Sequence, residues 1–140
     1  MDILNSVFKQ LVCSLPCPPP ERGGILGGQD GVISTYAIDD GLQGFDCYAQ
    51  YYPNVKKLNE IIRNWEKQHI VFYGIFHSHF PGGNQLSLGD ERYIRQIMMA
   101  MPTEVNTLFF PLVIQTSMVG YRADRCGSQI RICCDDIKTI

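Results

Sequence analysis

Three residues of this 140-residue chain have the types and spacing from which a water-activating metal centre is built: His77, His79 and Asp90. His77 and His79 stand two apart at the end of an apolar run. Side chains two apart on a strand share a face, so both imidazoles can reach one point. Asp90 follows across a loop whose Pro81-Gly82-Gly83 permits a bend, and it offers a carboxylate from the first turn of an expected helix. Two imidazoles and one carboxylate leave the fourth position of a tetrahedral zinc ion for water, as catalytic rather than structural sites do. Zinc lowers the pKa of such a water from about 15.7 toward about 7 and polarises a carbonyl oxygen, which makes attack on an amide feasible at neutral pH. Taken alone, His-Ser-His fits equally well two unrelated polar residues at a strand end.

The complete spacing, His77-x-His79, seven residues, Ser87, two residues, Asp90, resembles the His-x-His-x7-Ser-x2-Asp signature of the JAMM/MPN+ zinc metalloproteases. Upstream, Glu21-x-x-Gly24-x-Leu26-x-Gly28 resembles that family's glutamate motif, and the two motifs stand in the right order. The resemblance implies a single α/β domain over residues 1–140 with the JAMM/MPN fold, a curved mixed β-sheet flanked by helices and similar to the cytidine deaminase fold. It implies one catalytic Zn2+ with a bound water, held by His77, His79 and Asp90. Glu21 is then the catalytic base that takes a proton from the water and delivers it to the leaving amine, and Ser87 donates a hydrogen bond toward the oxyanion. Ser87 also reads as a helix N-cap, with Asp90 and Glu91 in the first turn favouring the dipole.

The same resemblance implies cleavage after the C-terminal tail of a ubiquitin-like protein, free or conjugated, with the tail extended beside a strand and its small glycines passing the metal. The shortness of the chain favours a minimal, prokaryotic-type member, such as those of bacterial conjugation operons linked to antiviral defence, acting beside ligase-like enzymes. Processing of a sulfur-carrier protein is the alternative within the same chemistry. A catalytically silent MPN scaffold is the alternative outside it, although such relatives usually lack the ligands that this chain keeps. Two departures leave the shape of the loop Phe80–Leu86 open: Phe80 replaces the usual Pro directly after the second His, and Leu86 replaces a frequent Pro before the serine.

Composition bounds the remaining choices. Twelve Lys and Arg against 14 Asp and Glu give a net charge of −2, without the cationic excess that phosphate neutralisation needs. Nucleic acid is therefore not an expected partner, and a DNA-linked RadC-like relative fits poorly. No apolar run approaches the roughly 20 residues that span a bilayer, and Asp2, Asn5, Lys9 and Gln10 disfavour a signal peptide, so no membrane partner and a cytoplasmic location are expected. The six cysteines show no Cys-x2-Cys pair and are expected to stay reduced. A second metal site from Cys13-x3-Cys17 and Cys133-Cys134 has no recognised ligand spacing.

The elements that must position the site follow from periodicity. Ile3, Leu4, Val7, Phe8, Leu11, Val12 and Leu15 recur at helical steps, with Asp2 placed to cap and Pro16 to stop. Pro18-Pro19-Pro20 stiffens the entry into Glu21. Gly23–Gly28 and Gly31–Ile38 read as a hairpin; the glycines lack the spacing of a phosphate loop. Phe45–Tyr52 is a further strand. Pro53 opens a helix with Val55, Leu58, Ile61, Ile62 and Trp65 on one face, and His69 falls at its end. Ile70–Phe76 is a buried strand that delivers His77 and His79. A helix from Ser87 carries Ile94, Ile97, Met98 and Met101, and Phe109–Gln115, Met118–Asp124 and Gln129–Cys133 close the sheet. Asp39-Asp40 reads as a solvated strand end.

Overall fold

The computed structural model describes residues 1–15, 21–39, 41 and 51–140. Cys17, Cys47, Asp40, the proline run and most of the expected strand Phe45–Tyr52 lie outside the described residues. Tyr51 and Tyr52, its last two residues, are described and belong to no strand.

In chain order the elements are β1 (Asp2–Ile3), α1 (Asn5–Ser14), β2 (Gly23–Gln29), β3 (Val32–Asp39), α2 (Val55–Lys67), β4 (Val71–Ser78), α3 (Leu88–Ala100), β5 (Thr107–Phe109), β6 (Leu112–Ile114), β7 (Ser117–Val119), β8 (Tyr121–Cys126), β9 (Gln129–Cys134) and β10 (Lys138–Thr139). They form one mixed, curled sheet in the order β10-β1-β3-β2-β4-β5-β8-β9, with β6 also paired to β4, and β7 to β6. Helices cover both faces. The alternation along β2 and β4 shows why: Ile25 and Ile75 pack with Leu58 and Trp65 of α2 and Ile94 and Met98 of α3, whereas Leu26 and Phe76 pack with Val7 and Leu11 of α1. A strand buried on both faces carries apolar residues at successive positions; Ile75 and Phe76 are so buried, whereas Val71, at the start of the expected run Ile70–Phe76, is 53% exposed. Among the described residues, no helix is long and apolar enough to cross a membrane.

The expected hairpin forms, with Asp30 (φ 52) and Gly31 (φ 78) in its two-residue turn. Positive φ at both central residues is the turn whose twist matches that of the flanking strands. Helix α2 begins after Asn54, whose side chain accepts from the Lys57 amide at 3.3 Å. His69 ends it in the left-handed region at φ 60, its amide donating to the Glu66 carbonyl, as a helix-end residue should.

Four expectations need correction. Asp2 does not cap α1: the N-cap is Leu4, without a side-chain bond, because Asp2 and Ile3 pair with β3 and β10 instead. Val55 is 56% exposed, outside the buried face of α2. The long closing strands are each split, β5 from β6 at Phe110-Pro111 and β7 from β8 at Gly120, so that β5 pairs with β8 and β6 with β7. Asp39 is not solvated but buried, at 1% exposure.

Gly74 (φ 151) meets Phe109, the register contact between β4 and β5, and a Cβ there would stand 1.8 Å from the Phe109 carbonyl oxygen. Backbone cannot yield as a side chain can. Gly74→Ala is expected to destabilise the fold by about 2 kcal/mol or more, read as a lower urea midpoint; an unchanged midpoint would contradict this packing.

Candidate metal centre

Strand β4 is held on both sides up to its end. Gly23 of β2 lies opposite His77, and on the other side His77 and Ser78 register with Leu112 and Val113 of β6. Order continues past the strand because the His79 amide donates to the Val113 carbonyl at 3.0 Å. The two imidazoles therefore emerge on one face with their Nε2 atoms 3.0 Å apart. Between them Ser78 points the other way and is 2% exposed. Its amide donates to the Arg22 carbonyl at 2.7 Å, and its hydroxyl accepts from the Arg22 amide at 2.9 Å. Ser78 thus anchors the backbone beside Glu21, a role that sequence reasoning missed.

Asp90 arrives from α3. Ser87 is the N-cap: its hydroxyl accepts from the Asp90 amide at 3.0 Å while its own amide donates to Asp90 Oδ2 at 2.8 Å, a reciprocal capping box. This fixes the Asp90 carboxylate against both histidines, Oδ1 at 3.3 Å from His77 Nε2 and Oδ2 at 3.2 Å from His79 Nε2. Glu21 Oε1 stands farther off, 3.9 Å from His79 Nε2. All five residues named from the sequence line one cavity of about 470 Å3, whose walls include Tyr51, Tyr52, Phe80 and Tyr93.

The donor set and its spacing fit a metal ion. Donors each about 2.0–2.1 Å from one tetrahedral zinc stand roughly 3.3–3.4 Å from one another, close to the 3.0, 3.2 and 3.3 Å separations of His77, His79 and Asp90. The ligand atoms of Glu21, His77 and His79 also lie within 4.8 Å of one another. Asp90 is the carboxylate nearer to the imidazoles and Glu21 the farther one.

The protonation pattern points the same way. His79 Nδ1 lies 2.8 Å from the Gly83 carbonyl oxygen. A carbonyl only accepts, so Nδ1 carries the hydrogen and the Nε2 lone pair of the neutral ring faces the carboxylates. Acceptor then faces acceptor unless a cation or a proton intervenes. The His79 pKa is accordingly raised, by the Asp90 hydrogen bond first, against burial, with the Gly83 carbonyl and the Glu21 charge assisting. Burial would raise Asp90, yet the hydrogen bonds from His77 and His79 hold its carboxyl well below the usual range. Burial raises Glu21, with the charges of His77 and His79 offsetting part of the effect and Asp90 adding to it. The surroundings thus favour the ionised form of Asp90 and, through burial, the protonated form of Glu21.

The loop Phe80–Leu86 supplies the carbonyl that faces His79 Nδ1. Gly82 has φ 85, the Gly83 amide donates to the Phe80 carbonyl at 2.9 Å, and the Tyr121 hydroxyl donates to the Asn84 carbonyl at 2.9 Å. Cys13, Cys126, Cys133 and Cys134 form no disulfide, and the group of possible metal ligands found among the described residues contains no cysteine.

No family model matches the chain, and no curated protein matches it. Among solved structures it is similar to protein DSY2949 of Desulfitobacterium hafniense, at 15% identity over 99% of this chain and 93% of that one, with a TM-score of 0.65. That likeness shows a shared fold. A second, more distant neighbour is a JAB1/MPN domain protein of Archaeoglobus fulgidus, at 14% identity over 86% of this chain and 87% of that one, with a TM-score of 0.49.

A raised His79 pKa means that metal and proton compete for Nε2. Zinc affinity should therefore weaken as pH falls through that pKa. Calorimetry near pH ~6 in two buffers of different ionisation enthalpy should show release of about one proton or more per zinc bound; binding without proton release would contradict the assignment.

Proposed function

We propose that this chain is a zinc-dependent peptidase that hydrolyses an internal amide, peptide or isopeptide, behind the tail of a ubiquitin-like modifier. The observation that carries the reading is the convergence of His77, His79 and Asp90 at zinc-ligand spacing, with the raised carboxyl of Glu21 beside them on one cavity wall. When bound, zinc supplies the Lewis acidity that activates water and polarises the amide carbonyl.

The chain's own groups supply the rest. Glu21, pushed upward by burial, takes a proton from the attacking water and returns it to the leaving nitrogen, so one carboxyl serves as base and then acid. Ser87 Oγ accepts from the Asp90 amide, which leaves its own hydrogen to donate toward the oxyanion. The Gly83 carbonyl keeps His79 in the tautomer that presents Nε2 inward.

Two features support an internal amide. Among the described residues the cavity is lined by no Lys or Arg, so nothing there would hold the free carboxylate of a chain end. Its aromatic walls suit an extended, uncharged backbone. The modifier tail itself rests on the two sequence motifs, since extended glycine-rich tails pass a narrow metal site.

The test uses zinc-loaded protein against a panel of ubiquitin-fold precursor fusions, with a sulfur-carrier precursor beside them. Cleavage at the tail is expected, abolished by chelation and lowered by about 10² to 10⁴-fold in Glu21→Gln with zinc still bound. Stoichiometric zinc without cleavage of any fusion, or full activity in Glu21→Gln, would overturn the proposal.

A further inference from the structure

A buried carboxylate outside the proposed ligand set sits behind Glu21. Asp39 closes β3 at 1% exposure, and among the described residues its oxygens accept three hydrogen bonds from the chain that follows. The Gly41 amide donates to Oδ1 at 3.0 Å, while the Tyr51 hydroxyl and the Asn54 amide each donate to Oδ2 at 2.8 Å. One carboxylate thus gathers both ends of the segment between Gly41 and Asn54, the N-cap of α2.

Tyr51 connects this node to the site. It lines the cavity together with Glu21, its backbone is among the groups that lower the Glu21 pKa, and its ring lies over Gly23, where a Cβ would stand 2.6 Å from Cε1. Gly23 is in turn the residue paired with His77. The tyrosine is therefore held at its hydroxyl by Asp39 and at its face by β2, and its main chain meets Glu21 on the cavity side. Both neighbouring phenols are held in the protonated form near neutral pH. Burial first, then Asp39, pushes Tyr51 far above the ordinary phenol range, and burial and the Asp39 charge push Tyr93 up to about 12.

Glu21 needs such a second anchor. Ser78 fixes the backbone at Arg22, but a carboxylate 3.9 Å from His79 serves as a base only while its side chain stays turned toward the reacting water.

We propose that Asp39 is a positioning residue for Glu21: it clamps Tyr51 by the hydroxyl so that the Tyr51 amide holds the Glu21 carboxylate toward the metal ligands. This rests on the reading of Glu21 as the proton carrier. Asp39 lies outside the proposed ligand set, and its link toward Glu21 runs through Tyr51.

The experiment compares zinc-loaded Asp39→Asn and Tyr51→Phe, each alone and combined with Glu21→Gln, against the wild-type chain on the most rapidly cleaved fusion. Each single substitution is expected to lower kcat by about 10-fold or more with KM within about 3-fold, and neither should slow the Glu21→Gln protein further. Equal slowing in both backgrounds would overturn the proposal, because a purely structural role adds independently of Glu21. Tyr51→Phe removes one oxygen only and keeps the test open should Asp39→Asn fold poorly.

A second readout does not depend on activity. Amide exchange at Tyr51 in the zinc-loaded protein should be slow in the wild type and about 10-fold or more faster in Glu21→Ala and in Tyr51→Phe. Absence of hydrolysis by the wild type would overturn the proposed function while leaving the clamp to this measurement. Tyr51 exchange unchanged in both variants would overturn the clamp itself.

Discussion

The parallel pairing of β4 with β6 is the constraint on which the site depends. A strand that ended free would leave His79 on a mobile loop, one peptide beyond the last ordered residue. Here the register His77 with Leu112 and Ser78 with Val113 continues into the His79 amide bond to the Val113 carbonyl. Both imidazoles inherit the rigidity of a sheet whose two faces are packed by helices. The break at Phe110-Pro111 serves this arrangement, because it lets β5 pair with the middle of β4 and β6 with its end. Antiparallel β2 on the opposite side brings Gly23, and with it the chain at Glu21, level with His77.

Electrostatics then determine what this rigid corner can hold. Two carboxylates and two imidazoles converge in a partly buried cavity, and the Gly83 carbonyl takes the hydrogen of His79 Nδ1. Lone pairs are left facing lone pairs, so the cluster is unfavourable without positive charge at its centre. A proton can provide that charge, as the raised His79 pKa shows, but a divalent cation satisfies three donors at once. The capping box at Ser87 adds a structural economy: the bonds that start α3 also aim the Asp90 carboxylate.

Much of this was legible in the sequence, for physical reasons that differ by element. The period of two placed His77 and His79 on one face, and the capping signal at Ser87 placed Asp90 in a first helical turn; both are local and survive in any fold. The hairpin through Gly28–Gly31 and, Val55 apart, the apolar face of α2 were readable on the same grounds. What escaped was set by distant partners. Asp39 looks like a solvated strand end until Tyr51 and Asn54 fold onto it. Asp2 and Ile3 extend the helical pattern of α1, yet pairing with β3 and β10 wins. The Gly83 carbonyl and the Ser78 anchor act through backbone contacts, which leave no mark on residue type. Phe80–Leu86 departs from the motif in sequence, and its Gly83 carbonyl faces His79 Nδ1.

X-ray absorption at the zinc edge tests the proposed zinc site of His77, His79 and Asp90 most directly. One zinc per chain with two imidazole nitrogens and the remaining ligands oxygen, at about 2.0–2.1 Å and without sulfur, is the predicted result. Zinc well below one per chain after loading, or sulfur at about 2.3 Å from the cysteines, would contradict it.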